Sequence, residues 1–207
     1  MKALIYTGGH IDPSNITEHP KGEDLCIAAD AGYRNALTLG VKPTIVLGDF
    51  DSLGDCDLPK ETERMQVPAE KDFTDTQLAV DTAIQKGATE IVIIGGLDGR
   101  LDHTLSNLAI LEDLHQRKIH AIITDGKNRV RYVHSSSTLI AKSGFRYVSL
   151  LTLSEKAKGV DIEGCKYPLK NATLNRNFQY AVSNEITGNC ALISVRKGGV
   201  YIVESAE

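Results

Sequence analysis

Two carboxylates, Asp49 and Asp51, stand directly after a short apolar run in the stretch IVLGDFDSLGD, residues 45–55. In an extended chain, residues i and i+2 point to the same side and lie roughly 6.5–7 Å apart. Two carboxylates at that spacing repel each other unless a cation lies between them, and Mg²⁺ binds one or two carboxylates together with water and phosphate oxygens. The stretch therefore predicts a magnesium site, with a solvated turn as the alternative because Asp and Ser also favour turns.

Acidic residues recur in EKDFTD, residues 70–75, where Asp72 and Asp75 fall at a predicted helix start. Carboxylates at this place could join a site formed with Asp49 and Asp51. Helix starts also attract Asp for capping and for the helix dipole, so a purely structural role stays open for this pair.

The stretch GGLDGRLDH, residues 95–103, combines glycines with charged groups. Its glycines let the backbone approach a bulky anion, and Arg100 offers a fork of N–H donors to phosphate. Asp98 and Asp102 add negative charge to the same stretch. The alternative is a tight turn from strand to helix in which Asp102 is the helix N-cap.

All of these segments are placed by an alternation of two patterns in the first half of the chain. Continuous apolar runs, typical of strands buried on both faces of a parallel sheet, occur at residues 3–6, 25–29, 44–47, 90–95 and 121–124. Residues 74–87 form a helical pattern that opens with a capping box, Thr74 to Gln77. A second pattern carries one stripe of leucines, at Leu101, Leu105, Leu108, Leu111 and Leu114.

Parallel topology gathers the carboxyl ends of strands at one edge, where open α/β sheets bind their ligands. The acids, the glycines and Arg100 therefore predict a metal and nucleotide site for phosphoryl-type chemistry. After residue 125 the segments are short, β-branched and separated by turn residues, with RKGG at 196–199 as a predicted hairpin turn. We predict an N-terminal α/β domain, residues 1–126, with a mostly parallel sheet and helices on both faces. A smaller, antiparallel, sandwich-like β domain would cover residues 127–207.

Composition limits the function classes. The 207 residues carry a net charge of −4 with both signs mixed and no block of Lys or Arg, which argues against nucleic-acid binding. No stretch approaches the length of a membrane span. The four cysteines form no CxxC or Cys/His cluster and are expected to be reduced and structural. A cytoplasmic protein is the expectation.

The motifs ADAGYRNAL, GDFDS, EKDFTD, GGLDGRLDHTLSNLAIL and the late SNE (183–185) resemble those of the thiamine pyrophosphokinase family, in that family's order and over nearly the whole chain. The resemblance implies Mg²⁺-dependent transfer of the pyrophosphoryl group of ATP to the hydroxyl of thiamine, giving thiamine diphosphate and AMP. It also implies a homodimer with shared active sites, in which the β domain binds thiamine. Two positions depart from the family's usual glycines, namely Ala31 and Asp98.

The resemblance assigns roles residue by residue. It implies catalytic groups at Asp49, Asp51, Asp72, Asp75, Arg100 and Asp102, and metal ligands at Asp49, Asp51 and Asp75. It implies nucleotide contacts at Gly8, Gly9, Asp30, Lys71, Gly95, Gly96 and Arg100, and thiamine contacts at Ser183 and Asn184. The chain has no tryptophan, so another residue must stack on the thiamine rings. A metal-dependent phosphohydrolase and a non-catalytic nucleotide-binding module are the rival functions.

Overall fold

A computed structural model describes residues 1–48, 59–66 and 72–206 of the chain. The chain divides into two compact units, Met1–Gly126 and Lys127–Glu207. In the part of the chain that the structure describes, no helix combines the length and the apolar character needed to cross a membrane.

The first unit is built on a parallel sheet. Its strands are β1 (Lys2–Tyr6), β2 (Leu25–Ala29), β3 (Ile45–Gly48), β4 (Glu63–Gln66), β5 (Glu90–Ile94) and β6 (His120–Thr124). They lie in the order β4–β3–β2–β1–β5–β6, and each neighbouring pair is parallel. The predicted strands are all present, because runs such as the one in β5 are fully buried from Ile91 to Ile94. Strand β4 was not predicted.

Three helices accompany this sheet in the described residues, namely α1 (Gly32–Thr38), α2 (Asp75–Gln85) and α3 (Leu101–Gln116). The predicted cap of α2 is confirmed, since the Thr74 hydroxyl accepts the Gln77 backbone N–H at 3.2 Å. Helix α3 has Arg100 as its N-cap, so the alternative that placed Asp102 there is wrong. The leucine stripe is also only partly right, because Leu101 and Leu105 are exposed at the start of α3.

Alternate residues of the strands divide between two layers. Leu4, Tyr6 and Ala28 share a cluster with Tyr33 and Ala36 of α1, which covers that face of the sheet. Helices α2 and α3 contact each other, and they pack on β2 and β6 respectively. The core thus holds the strands from both sides and fixes where their carboxyl ends point.

The second unit contains two antiparallel sheets. Their strands are β7 (Asn128–His134), β8 (Ser137–Ala141), β9 (Tyr147–Leu151), β10 (Lys156–Glu163), β11 (Leu169–Asn175), β12 (Cys190–Lys197) and β13 (Gly199–Ser205). Strand β13 lies between β7 and β9, and the other sheet has the order β11–β10–β12–β8. One cluster of buried residues, including Leu150, Ile193 and Ile202, draws on both sheets, which makes a sandwich.

The hairpin predicted at residues 196–199 is wrong. Strand β12 pairs with β10 and β8, whereas β13 pairs with β7 and β9, so the segment carries the chain from one sheet to the other. Gly198 has a φ of +95°, and a Cβ there would lie 2.6 Å from the Lys156 carbonyl oxygen. The glycines therefore serve a tight crossing between sheets rather than a hairpin turn.

Candidate active site

A cavity of about 390 Å³ opens where β1, β2 and β5 end and where α2 and α3 begin. Its lining is made of small residues, threonines and a few charged groups: Thr7, Gly8, Gly9, Ala29, Asp30, Ala31, Thr74, Asp75, Thr76, Gly96, Asp98, Gly99, Arg100, His103 and Asn107. The cavity lies at the carboxyl edge of the parallel sheet, the edge at which such sheets bind ligands.

Two glycine-containing loops form one wall of this cavity, and they are bonded to each other. The first loop follows β1 and the second follows β5. The Gly96 N–H donates to the Gly8 carbonyl at 2.9 Å, and the His10 N–H donates to the Asp98 carboxylate at 3.2 Å. Asp98, which stands where the family often has glycine, therefore links the two loops.

Two asparagines hold these loops from the helices. Asn35 of α1 donates its side-chain amide to the carbonyls of Thr7 and Gly9 at 2.7 and 3.0 Å. Asn107 of α3, which is buried, donates to the Gly96 carbonyl at 3.0 Å. Because each carbonyl is bonded on the helix side, the loop backbone is fixed while its small residues line the cavity.

Gly96 has no room for a side chain. Its φ is +74°, and a Cβ would lie 2.6 Å from the Asn107 amide nitrogen and 2.9 Å from the Thr7 hydroxyl. Ala31, the other departure from the family, has an ordinary helical φ of −55° and lines the cavity without backbone strain. The backbone at Gly96 and at Ala31 is thus compatible with the close approach of a large anion.

Arg100 faces the cavity in a bidentate ion pair with Asp102, with N–O distances of 3.1 and 2.6 Å. The hydrogen bond from Arg100 lowers the pKa of the Asp102 carboxyl, and the same bond raises the pKa of Arg100. Both side chains are exposed, so water screens the pair and its contribution to stability is small. A phosphate group could take over the guanidinium with the same fork geometry.

The predicted site residues do not all converge. Gly8, Gly9, Asp30, Asp75, Gly96 and Arg100 line the cavity. Asp72 is exposed outside the lining. Asp102 also lies outside it, bonded to Arg100 and to the His103 N–H, and Gly95 is buried with its N–H bonded to the Thr124 carbonyl. Asp49, Asp51 and Lys71 lie outside the described residues.

The cavity carboxylates Asp30, Asp75 and Asp98 offer oxygen ligands, which suit Mg²⁺. Within residues 1–48, 59–66 and 72–206, no three acidic, His or Cys side chains are grouped so that they could hold a metal ion. The predicted ligands Asp49 and Asp51 lie outside these residues.

In the second unit, Ser183 and Asn184 have different surroundings. Ser183 is exposed at a φ of +56°, and its N–H donates to the Ser149 hydroxyl at 2.9 Å. Asn184 is buried, with 4% of its surface exposed, and its side chain bonds to the backbone of Tyr167 and Glu185. Ser183 can thus contact a ligand directly, whereas the Asn184 amide is already engaged.

Sequence reasoning missed the two asparagines that hold the loops. Asn107 stands at a fixed place in the motif GRLDHTLSN, so its position after Arg100 was a usable signal. Asn35 also stands within a motif, ADAGYRNAL, but its bonds to Thr7 and Gly9 depend on how α1 packs beside the end of β1.

Comparisons with known proteins agree for both units. Residues 17–123 match the family model described as the catalytic domain of thiamin pyrophosphokinase. Residues 136–200 match the model described as the vitamin B1 binding domain of thiamin pyrophosphokinase.

Individual relatives give the same result. A thiamine pyrophosphokinase of Bacillus subtilis is 30% identical over 217 residues, with 100% of both chains covered. A thiamin pyrophosphokinase of Caenorhabditis elegans is 27% identical, with 78% of this chain and 70% of the relative covered. The crystal structure of the thiamin pyrophosphokinase of Geobacillus thermodenitrificans has a TM-score of 0.86 at 27% identity, covering 100% of this chain and 98% of that one.

Proposed function

The chain belongs to the thiamine pyrophosphokinase family, and from this premise we propose that it transfers the pyrophosphoryl group of ATP to the hydroxyl of thiamine. The products are AMP and thiamine diphosphate. The observation that carries the proposal is the cavity at the sheet edge, where two linked glycine loops, three carboxylates and Arg100 converge. This combination suits a nucleotide whose phosphates carry several negative charges.

ATP is bound in this proposal through the backbone of the two loops. Gly8, Gly9 and Gly96 let the loops approach the phosphates, and Asp30 lies beside them in the cavity lining. Arg100 leaves Asp102 to bind phosphate oxygens. Lys71 adds a positive charge next to the phosphates. Gly95 acts indirectly, by shaping the second loop, because its position is buried.

Mg²⁺ is the proposed metal, with Asp49, Asp51 and Asp75 as its ligands. The support is the spacing of Asp49 and Asp51 in the sequence and the place of Asp75 in the cavity lining. When bound, the ion neutralises charge on the phosphate oxygens. Asp72 and Asp102 are proposed to act around this centre, Asp72 from the loop before α2 and Asp102 as the carboxylate that holds Arg100 until phosphate binds.

The reaction is an attack of the thiamine hydroxyl oxygen on the β-phosphorus of ATP. A bond forms between that oxygen and the β-phosphorus, and the bond from the β-phosphorus to the oxygen on the α side breaks, so AMP leaves. The Arg100 guanidinium stabilises the charge that builds on the phosphate oxygens. The hydroxyl proton passes, in this proposal, to a carboxylate of the cavity that does not ligate the metal.

Thiamine is proposed to bind to the second unit beside Ser183, whose side chain is exposed. We also propose a homodimer with shared active sites. The test mixes two inactive variants, Asp49→Asn and a bulky substitution of Ser183, by joint unfolding and refolding. The refolded mixture should regain at most roughly one quarter of wild-type activity, because random pairing makes about half of the dimers mixed and one of the two sites in each mixed dimer carries neither defect. Mixed dimers without any activity would place each site within one chain.

The cytoplasm is the proposed location, since the thiols of Cys26, Cys165 and Cys190 are free, as is usual in a reducing compartment.

The experiment that tests the function is to incubate the protein with ATP, Mg²⁺ and thiamine and to identify the nucleotide product. AMP that forms only when thiamine is present supports the proposal. ADP with thiamine monophosphate would mean that the chemistry is misassigned. Hydrolysis of ATP without thiamine would favour a phosphohydrolase, and binding of ATP without turnover would favour a nucleotide-binding module.

A further inference from the structure

The buried side-chain amide of Asn184 forms hydrogen bonds that hold two neighbouring segments together. Its backbone pairs with Val148 of β9 in both directions, at 2.8 and 3.0 Å. Its side-chain oxygen accepts the N–H groups of Tyr167 and Glu185 at 2.9 and 3.0 Å, and its side-chain nitrogen donates to the Tyr167 carbonyl at 2.7 Å. Since the oxygen has both of its acceptor positions filled, the amide is poorly placed to bind a ligand as well.

The Asn184 side chain thus bonds to both the backbone N–H and the backbone carbonyl of Tyr167, as the backbone of a neighbouring strand would. The same two segments are joined further along, where the Lys166 N–H donates to the Glu185 carbonyl at 2.9 Å and Cys165 pairs with Ile186. We call the bonds between Asn184 and Tyr167 the Asn184 clamp. The clamp fixes the backbone of Tyr167 although that residue lies outside the named strands.

The residue that the clamp holds is a largely exposed aromatic. Tyr167 has 59% of its surface exposed. The Lys166 ammonium lies 5.6 Å from the centroid of its ring, so the ring is already in reach of a cation. Lys166 is also paired with Glu185 at 3.2 Å, so this small surface carries an aromatic ring and a carboxylate, and the clamp residue Asn184 directly follows Ser183 in the sequence.

We propose that Asn184 is a positioning residue and that the Tyr167 ring, held by the Asn184 clamp, contacts the thiazolium ring of thiamine. The inference rests on the proposed function and names the aromatic that recognises its acceptor. Thiazolium carries a fixed positive charge on a flat ring, and the face of a tyrosine attracts such a cation within about 6 Å. The chain contains no tryptophan that could do this instead.

Phe178 and Tyr180 are the competing exposed aromatics of this unit, at 66% and 43% exposure. Their rings lie 5.7 Å from each other, and the Tyr180 hydroxyl donates to the Thr173 carbonyl. The bonds of the Asn184 clamp go to Tyr167 and Glu185 instead. Phe178 therefore serves as a matched control, being an aromatic of similar exposure in the same unit.

The first experiment measures the KM values for thiamine and for ATP in the full-length protein. Tyr167→Ala should raise the thiamine KM about tenfold and leave the ATP KM unchanged, whereas Tyr167→Phe should stay within about twofold because the ring is kept. Phe178→Ala should match the wild type. An unchanged thiamine KM in Tyr167→Ala, or a comparable rise in Phe178→Ala, would overturn the proposal.

The second experiment asks whether Asn184 acts through Tyr167. Asn184→Asp keeps the shape but places a carboxylate oxygen against the Tyr167 carbonyl, so it should open the clamp and raise the thiamine KM severalfold. Asn184→Ala should have a similar effect. In a double variant with Tyr167→Ala, either Asn184 substitution should add almost nothing to the thiamine KM, because the ring that Asn184 positions is already gone.

Multiplied effects in the double variant would mean that Asn184 binds thiamine by itself and would refute the positioning role. Thermal unfolding identifies variants that remain folded, and if neither Asn184 variant does, the Tyr167 variants decide the proposal. Wild-type turnover separates the two claims. A wild type that makes no thiamine diphosphate refutes the proposed function, whereas an active wild type with an unaffected Tyr167→Ala refutes only this inference.

Discussion

Both units use a buried asparagine to hold a loop, but they present different things to the outside. In the first unit, Asn107 bonds to the carbonyl of Gly96, and the loop offers its backbone to the cavity. In the second unit, Asn184 bonds to the backbone of Tyr167, and the loop offers an exposed ring. The difference predicts that the loop after β5 is intolerant of a side chain at Gly96, whereas the loop of the second unit depends on which side chain stands at Tyr167.

The largest effect is expected at Gly96. In Gly96→Ala the new methyl would meet Asn107 and Thr7 at a φ that alanine disfavours, so the second loop and the helix behind it must move apart. We expect a loss of about 3 kcal/mol or more in the free energy of unfolding and no detectable turnover. Urea denaturation and the AMP assay measure the two effects.

Gly40→Ala is the matched control for that variant. Gly40 also has a positive φ, of +71°, but a Cβ there would have no heavy atom within 4 Å. It should lose only about 1 kcal/mol and keep its activity. Equal losses in the two variants would show that backbone strain, rather than the contact with Asn107, limits Gly96.

The next effect concerns Asn107 itself. Asn107→Ala leaves the Gly96 carbonyl without the amide that it accepts from at 3.0 Å, which should cost about 1–3 kcal/mol of stability. The ATP KM should rise severalfold and the thiamine KM should not, because the loop belongs to the nucleotide cavity. Ser106→Ala, at the exposed neighbouring position of α3, should change neither value. A rise confined to the thiamine KM would contradict the division between the units.

A third test compares Cys26, a buried cysteine of the first unit, with Cys190, an exposed cysteine of the second. Burial, and to a lesser degree Asp24, raises the pKa of the Cys26 thiol from 9.0 to about 11, while Cys190 is exposed. A group that holds its proton more tightly when folded stabilises fully below its unfolded pKa and loses that contribution as pH rises to its folded pKa.

The protein should therefore lose on the order of 1 kcal/mol between about pH 9 and 11 through Cys26, a figure reduced for partial solvent screening. Urea midpoints at several pH values in this window measure the decline. Cys26→Ala should make the decline shallower, with a remainder from Tyr6, whose pKa burial also raises, and Cys190→Ala should leave it unchanged. The same slope in all three proteins would mean that the Cys26 thiol ionises as readily in the folded chain as in the unfolded one.

The smallest effect is expected at Lys166. Lys166→Met removes the ammonium that lies near the Tyr167 ring and leaves the Glu185 carboxylate without this partner, and both groups attract a cation. The thiamine KM should fall about two- to threefold, and the difference should shrink at high salt. Lys158→Met, an exposed lysine of β10, is the control. A higher KM in Lys166→Met would show that the ammonium helps thiamine to bind.

The sheet could be predicted from sequence where burial leaves a pattern, and not elsewhere. Strands such as β5 are apolar on both faces and were found, while β4, which has mostly exposed residues from Glu63 to Gln66, was not. Helix α1 was not predicted either, because it spans only seven residues and has no side-chain cap at Ala31. Local signals thus report burial and capping, but not an edge strand whose side chains are mostly exposed.

The place of the cavity could be predicted better than the residues that support it. Gly96, Gly99 and Arg100, which follow β5 in the predicted phosphate-binding loop, line the cavity, whereas Gly95 does not. Asn35 and the engaged amide of Asn184 could not be predicted, because each bond joins segments that the tertiary fold brings together. The leucines at the start of α3 misled for the same reason, since the packing of the helix, not its spacing, decides that Leu101 is exposed.

The exposed pair between Arg100 and Asp102 sets a threshold for the anions that the cavity can retain. A small anion such as inorganic phosphate offers the guanidinium little more than the two carboxylate oxygens that it already contacts. Under the proposed function, a triphosphate chain would also meet the glycine loops, so we expect it to displace Asp102 where a small anion does not. The carboxylate next to the arginine would then favour nucleotides over small anions.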